Sequence, residues 1–240
     1  MHMNKSFIYW LGLRSCLICG SYNVKRHELC EVCITRIIKK TQIMRIEFKS
    51  KELKISFPVV SLIKWVPKES DHLSNFFLKM KGPSKKKIWR ELALIFLKQN
   101  LINKIVADFQ QAIVVPCPSK SKKPDHAEQW ANALAEAMSW RYAPILSWSE
   151  QTENKHQREK TWLERWSFQS QKHVKFTVNQ SLCQSPLSLE NFAGSLIFVD
   201  DVITTGATAA QAYLALGRPK NFMVITLGNR TQVAKPHAIC

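Results

Sequence analysis

Hydrophobic positions along the chain follow two patterns. One is short unbroken apolar runs; the other is longer stretches with an apolar residue every three or four positions. The first pattern, rich in β-branched and aromatic residues, predicts strands at Phe57–Val66, Ala112–Val115, Ile145–Trp148, Val174–Val178, Leu196–Val199 and Phe222–Leu227. The second predicts helices. Leu73, Phe76, Phe77 and Met80 share one face of a helix that opens at Ser70-Asp71 and stops at Gly82-Pro83. Ser84 caps the next helix, which aligns Ile88, Leu92, Ile95 and Phe96. His126–Arg141 aligns Trp130, Leu134 and Met138, and Ala207–Gly217 is an alanine-rich helix. Residues 149–160 are polar and read as a loop, and a second loop runs to about Phe192.

Strands alternating with helices imply crossover connections and a parallel sheet, so the predicted class is α/β. In such sheets ligands bind beyond the carboxyl ends of the strands. The chain divides by composition into residues 14–40, which hold four cysteines, a basic intermediate segment at 41–110, and the alternating region at 111–240. No internal repeat is visible. No apolar run reaches the roughly 18 residues that span a bilayer. Met1–Leu13 carries Phe7, Ile8, Tyr9, Trp10 and Leu11 but no long apolar core and no small-residue cleavage site. It reads as a buried or fraying segment and not a signal peptide, which makes the cytoplasm the expected compartment.

Composition changes this picture in two places. Of 240 residues, 45% are hydrophobic, which excludes a wholly disordered chain, and 7 Gly with 10 Pro exclude collagen-like and low-complexity classes. Lys and Arg number 35 against 18 acidic residues, a formal charge of +17 that attracts polyanions, nucleic acid first among them. The charge is densest at Lys79, Lys81, Lys85, Lys86, Lys87 and Arg90, a run without an acidic residue. Beside Trp89, these cations could track a phosphate backbone while one base stacks; the bland alternative is a solvated helix face.

The cysteines change it again. In a reducing compartment, seven thiols read as metal ligands or core residues and not as disulfides. Cys16 and Cys19 form one pair, Cys30 and Cys33 another, each with two intervening residues, and ten residues separate the pairs. Four thiolates supply the tetrahedral shell that Zn2+ prefers, with no open position for catalysis. An iron–sulfur cluster is the alternative. Cys117, Cys183 and Cys240 lack such spacing and read as buried or incidental thiols.

The most informative stretch runs Leu196–Thr208, sequence LIFVDDVITTGAT. An apolar strand meets Asp200 and Asp201, then a loop of Thr204, Thr205, Gly206, Ala207 and Thr208 opens a helix. Backbone N–H groups at a helix start bind phosphate, the threonine hydroxyls add donors, and Gly206 admits close approach. Paired aspartates accept hydrogen bonds from vicinal ribose hydroxyls or hold them through a divalent metal. Neither a Walker loop nor GxGxxG is present. The bland reading is a strand–turn–helix whose Asp and Thr residues cap the helix. None of the scattered histidines belongs to a nucleophilic motif or to HExxH, so no hydrolase chemistry is assigned.

LIFVDDVITTGAT resembles the phosphoribosyl pyrophosphate (PRPP) loop of type I phosphoribosyltransferases. With the module of Cys16, Cys19, Cys30 and Cys33, the chain resembles the ComF/GntX family associated with DNA uptake in natural competence. Val115-Pro116-Cys117-Pro118 is similar to the family's Pro-x-Pro turn, which leads to the pyrophosphate loop, here Ser119–Lys123. Lys79-Met80-Lys81-Gly82 and Leu227-Gly228-Asn229-Arg230 are looser echoes. The chain departs from the family's Arg-Gly-Phe-Asn-Gln, reading Lys123 to Gln129 as KPDHAEQ. The resemblance implies a type I phosphoribosyltransferase-like sheet behind a zinc module, with PRPP bound alongside Mg2+. It implies that Asp200 and Asp201 hold the ribose hydroxyls and that Thr204–Thr208 hold the 5′-phosphate. Ser119, Lys120, Lys122 and Lys123 would face pyrophosphate. The implied partners are PRPP or a nucleotide, single-stranded DNA, and a DNA-uptake helicase or channel component. An active transferase of nucleotide or base salvage is the alternative expectation, and a regulator that only senses a nucleotide is a third.

Overall fold

The computed structural model describes residues 15–16, 18–22, 24, 29–40, 44–50, 53–65, 76, 80, 86–98, 109, 111–119, 125–149, 176–179 and 194–230. In chain order its elements are α1 (Glu31–Lys40), β1 (Met44–Ser50), β2 (Ile55–Trp65), α2 (Lys86–Leu97), β3 (Ala112–Pro116), α3 (His126–Met138), β4 (Arg141–Tyr142), β5 (Leu146–Trp148), β6 (Phe176–Val178), β7 (Ser195–Ile203), α4 (Ala207–Ala215) and β8 (Phe222–Arg230). Six strands form one mixed sheet in the order β1-β2-β8-β7-β3-β4. Only β1 runs antiparallel to its neighbour; every other pairing in this sheet is parallel. The expected α/β class with a mostly parallel sheet is therefore observed. β5 and β6 pair antiparallel in a separate two-stranded ribbon and do not join the sheet.

The strands that read as continuous apolar runs are the central ones, because a parallel strand is covered on both faces. All of β3 is buried, as are the first five residues of β7 and the first eight of β8. Alternate residues of each strand serve opposite layers. Val114, Ile197, Val199, Met223 and Ile225 pack with α2 and α3. Ile113, Val115, Leu196, Phe198 and Val224 pack with Ala209, Ala210 and Ala212 of α4. The first layer is anchored by Trp130, whose ring lies 5.9 Å from Trp89 and 6.0 Å from Phe96. Phe76 and Met80 are helical and buried in the same core; the rest of the helix expected from Ser70 lies outside the described residues. So do Met1–Leu13, most of 149–160, Cys183 and Cys240.

Three differences from the sequence reading have a local reason. β7 extends through Asp200 and Asp201 to Ile203, because pairing with β8 continues at Asp200↔Thr226 and Ile203↔Asn229. α3 stops at Met138, where Ser139 takes a left-handed conformation at φ 56° and caps the helix with its own N–H. β1, Met44–Ser50, has no counterpart in the expected elements; its charged alternate residues mask the apolar ones. Among the described residues, no helix is long and apolar enough to cross a membrane.

The topology fixes where a ligand crevice falls. From β3 the chain crosses through α3 to β4 on one side, while β7 lies on the other side of β3 and continues outward to β8. The carboxyl ends of β3 and β7 therefore flank a topological switch point, the crevice where α/β sheets bind ligands.

Candidate functional sites

The four-cysteine cluster is built by one turn and one helix start. The Gly20 N–H donates to the Cys16 carbonyl at 2.8 Å, and the Cys16 N–H donates to the Ser21 carbonyl at 2.7 Å. This tight turn needs the left-handed conformation that Gly20 adopts at φ 74°. Cys30 immediately precedes α1 and Cys33 sits in its first turn, so the helix holds the second pair. The four Sγ atoms all lie within 4.8 Å of one another, and Cys19 Sγ is 3.7 Å from Cys30 Sγ. Tetrahedral ligation with bonds of about 2.3 Å places sulfurs about 3.8 Å apart, so the cluster is gathered closely enough for a metal of zinc's size.

The electrostatics suit the same ligand. Burial pushes the Cys30 and Cys33 thiols up. Burial also opposes the Cys16 thiolate, but backbone N–H groups of Cys19, Cys30 and Ile18 outweigh it and bring that thiol down to about 7. A metal must displace protons from Cys30 and Cys33, so its hold on the module weakens as pH falls. The module is not a detached appendage. Cys16, Leu29, Cys30, Cys33 and Ile37 belong to the same buried cluster as α2, α3 and the sheet.

The second site lies at the switch point. Asp200 and Asp201 are consecutive in an extended strand, so the two carboxylates serve different neighbours. Asp200 lines a small cavity with Thr204, Thr205, Gly206, Ala207, Thr208 and Thr226, about 30 Å³ and roomy enough for water alone. Its Oδ1 accepts from the Asp201 N–H at 2.8 Å. Asp201 Oδ2 meets His126 Nε2 of α3 at 2.9 Å. Beside them, Asp125 caps α3 by accepting from the Ala127 N–H at 2.9 Å and the Glu128 N–H at 3.4 Å. Ser119, just past β3, donates its N–H to Glu128 Oε1 at 3.4 Å.

Crowded acids reshape one another's titration. Burial raises Asp200 well above the usual aspartate range, and Asp201 and Asp125 raise it further. Burial and Asp125 also raise Glu128 against the pull of the Ser119 N–H. Tyr142 is pushed up to about 12 by burial, Glu128 and Asp125. Of these carboxylates only Asp201 meets the imidazole, and among the described residues the four cysteines are the one group whose ligand atoms converge as a metal site requires.

The two helix starts at the crevice differ. α3 spends its first N–H groups on Asp125, whereas α4 has Gly206 at its cap and no side-chain hydrogen bond there. Gly206 adopts φ 73°, and a Cβ placed on it would lie 2.5 Å from the Phe48 ring. Both constraints exclude larger residues. Gly206→Ala is expected to destabilise the fold by about 2–4 kcal/mol, combining left-handed strain with overpacking. Chemical denaturation of the two proteins checks this, and equal midpoints would refute it.

The sequence-predicted residues are distributed as follows. Asp200, Asp201, Thr204, Thr205, Gly206, Ala207, Thr208 and Ser119 all lie at the carboxyl edge of β3 and β7. Lys120, Lys122, Lys123, Lys79, Lys81 and Lys85 lie outside the described residues. Lys86 begins α2, and Lys87 and Arg90 are exposed on it. Trp89 is a correction: it is 1% exposed and packed on Trp130, so it stacks no base. Its position one residue from exposed Arg90 made it look superficial, but the helical face it shares with Leu92, Ala93 and Phe96 is the core face. Asp125 and Glu128 carried no role in the sequence reading. The available signal was an Asp immediately before a helix that follows the Pro-Cys-Pro turn. Compared with known proteins, the chain matches no family model and no curated sequence.

Proposed function

We propose that this chain is a ComF-like protein whose crevice binds PRPP or a related phosphoribosyl ligand. One observation carries the reading. β7, which carries Asp200 and Asp201 near its carboxyl end, delivers a Thr-Thr-Gly-Ala-Thr loop onto an α4 start without a side-chain cap, at the switch point between β3 and β7. The N–H groups of α4 and the hydroxyls of Thr204, Thr205 and Thr208 take the 5′-phosphate on the open side of the loop, where Thr204 is exposed. Asp200 and Asp201 take the ribose hydroxyls. Mg2+ carried in with PRPP would supply the charge that pyrophosphate needs when it binds. In the N-terminal module, zinc bound by Cys16, Cys19, Cys30 and Cys33 is structural. The decisive experiment is calorimetric titration of Mg2+–PRPP into zinc-loaded protein. Saturable binding is the expected result, and absence of heat at several temperatures would refute the reading.

Single-stranded DNA is the proposed macromolecular partner, in keeping with the charge of +17 and with Lys87 and Arg90 exposed on α2. Replacing Lys85, Lys86 and Lys87 together by Ala should weaken single-strand binding and flatten its salt dependence by about 2 log units per log unit of salt. An unchanged slope would place the strand elsewhere. The role in this reading is assistance of DNA uptake, together with a helicase or channel component.

A second reading, an active transferase of nucleotide or base salvage, is favoured by one contact. The His126–Asp201 pair sets an imidazole at the crevice, a group equipped to exchange a proton with an acceptor nitrogen. Pyrophosphate release that depends on an added base would select this reading.

A further inference from the structure

A larger hollow than the phosphate crevice lies on the other layer of the sheet. It is about 450 Å³, a size typical of pockets for drug-sized ligands, and it runs between α2 and α3 with Tyr142 of β4 at its end. Lys87 and Arg90 stand on the α2 wall; Glu128, Gln129, Asn132, Ala133 and Glu136 stand on the α3 wall. Cations thus face carboxylates and amides across the hollow. Such a pairing selects an amphoteric molecule with an anionic group at one end and hydrogen-bond donors at the other.

One wall atom calls for a donor. Gln129 lines the wall, and its Oε1 has no hydrogen-bond partner among the described residues; the atom is closed to solvent, so a turn of the side chain would bring it to a ligand N–H and relieve it. Asn132 is already oriented, donating through Nδ2 to Glu136 Oε1 at 2.8 Å. The two amides, each with a donor and an acceptor, match the polar edge of a nucleobase, and Ala133 with the Tyr142 ring offers its faces an apolar surface. Lys87 and Arg90 match a phosphate. A continuing phosphate backbone is disfavoured, because Glu128 and Glu136 would repel the next phosphate.

We propose that the cleft between α2 and α3 is a second binding site that takes a single nucleoside monophosphate. The phosphate lies on Lys87 and Arg90, and the base edge lies on Gln129 and Asn132. The site is separate from the phosphoribosyl crevice, although Glu128 lies on the boundary of both, and it does not depend on what that crevice binds.

The test is calorimetric titration of the four deoxynucleoside 5′-monophosphates, each in turn, into the full-length zinc-loaded chain. Inorganic phosphate is titrated as the comparison probe. Saturable binding of at least one nucleotide is expected, about tenfold or more tighter than phosphate alone. Arg90→Gln and Lys87→Gln, both at exposed positions of α2, should each weaken it about tenfold or more while zinc content and circular dichroism stay at wild-type values. Asp200→Asn should leave it unchanged. Absence of binding by all four nucleotides would overturn the proposal, as would affinity indifferent to both α2 variants. Phosphate binding as tightly as the nucleotides would also overturn it, by removing the role of the base. Loss of nucleotide binding in Asp200→Asn would place the ligand in the crevice instead.

Discussion

If the four-cysteine module holds structural zinc as proposed, replacing Cys33 with serine is expected to abolish zinc binding and to lower the thermal midpoint of the whole fold by roughly 10 °C or more. Structural zinc contributes on the order of 10 kcal/mol to the folding of small cysteine modules, and removing one ligand forfeits much of it. Two features carry the loss beyond the module. Cys33 lies in the first turn of α1, so its substitution loosens the helix that brings Ile37 into the core. The buried cluster is also continuous from Cys16, Cys30 and Cys33 to Leu62, Leu92 and Trp130. A loss of about 4 kcal/mol converts to the stated shift at roughly 2–4 °C per kcal/mol for a chain of this size. Calorimetric melting with zinc analysis tests this. A variant that keeps stoichiometric zinc and an unshifted midpoint would show that the cluster is not a structural metal site.

The second large effect is expected in the crevice. If the crevice binds PRPP as proposed, Asp200→Asn combined with Asp201→Asn should abolish that binding, because the ribose hydroxyls lose both anionic acceptors. Stability should move in the opposite direction. The Asp200 carboxyl is raised by burial and by Asp201, so its proton is favoured in the folded state. A carboxyl raised on folding supports stability below its unfolded value, and that support is lost as pH rises through the folded value. At neutral pH the native protein therefore carries a penalty that the amide variant lacks. Asn at position 200 also keeps an acceptor for the Asp201-position N–H. Asp200→Asn alone, which leaves the Asp201–His126 pair in place, should accordingly melt higher than the native chain at pH 7 to 8, with the difference shrinking as pH falls toward 4. Unchanged PRPP affinity would sink the ribose assignment. A variant that melts lower at neutral pH would instead show that the carboxylates are held by favourable partners.

Several elements were legible because one force dominates each. The unbroken runs in β3, β7 and β8 can only be satisfied inside a sheet covered on both faces, and that is where they lie. The four cysteines were legible because a four-sulfur metal site demands paired spacing of this kind, and their sulfurs do converge. β1 was not legible for the opposite reason. Arg45, Glu47 and Lys49 alternate with Ile46 and Phe48, as suits an edge strand with one covered side, and the charges obscured the period of two. Its turn gives no help either, since the left-handed residue is Lys54, at φ 51°, and not a glycine. Trp89 was misjudged because charge density around it outweighed the helical period that buries it. The His126–Asp201 contact joins positions 75 residues apart and depends on β3 and β7 being neighbours, which no local pattern encodes.

The sheet order also constrains how the chain is made. β2 pairs with β8, and Ser61 Oγ meets Thr226 Oγ1 at 2.7 Å across 165 positions. The cysteine module, β1 and β2 leave the ribosome early, but β2 waits for its partner until synthesis has passed Arg230. Throughout that interval one edge of β2 and one edge of β7 are open to other chains. A chain interrupted within β8 keeps both edges, so stalled translation products of this protein are expected to expose two unpaired strand edges that the finished sheet closes.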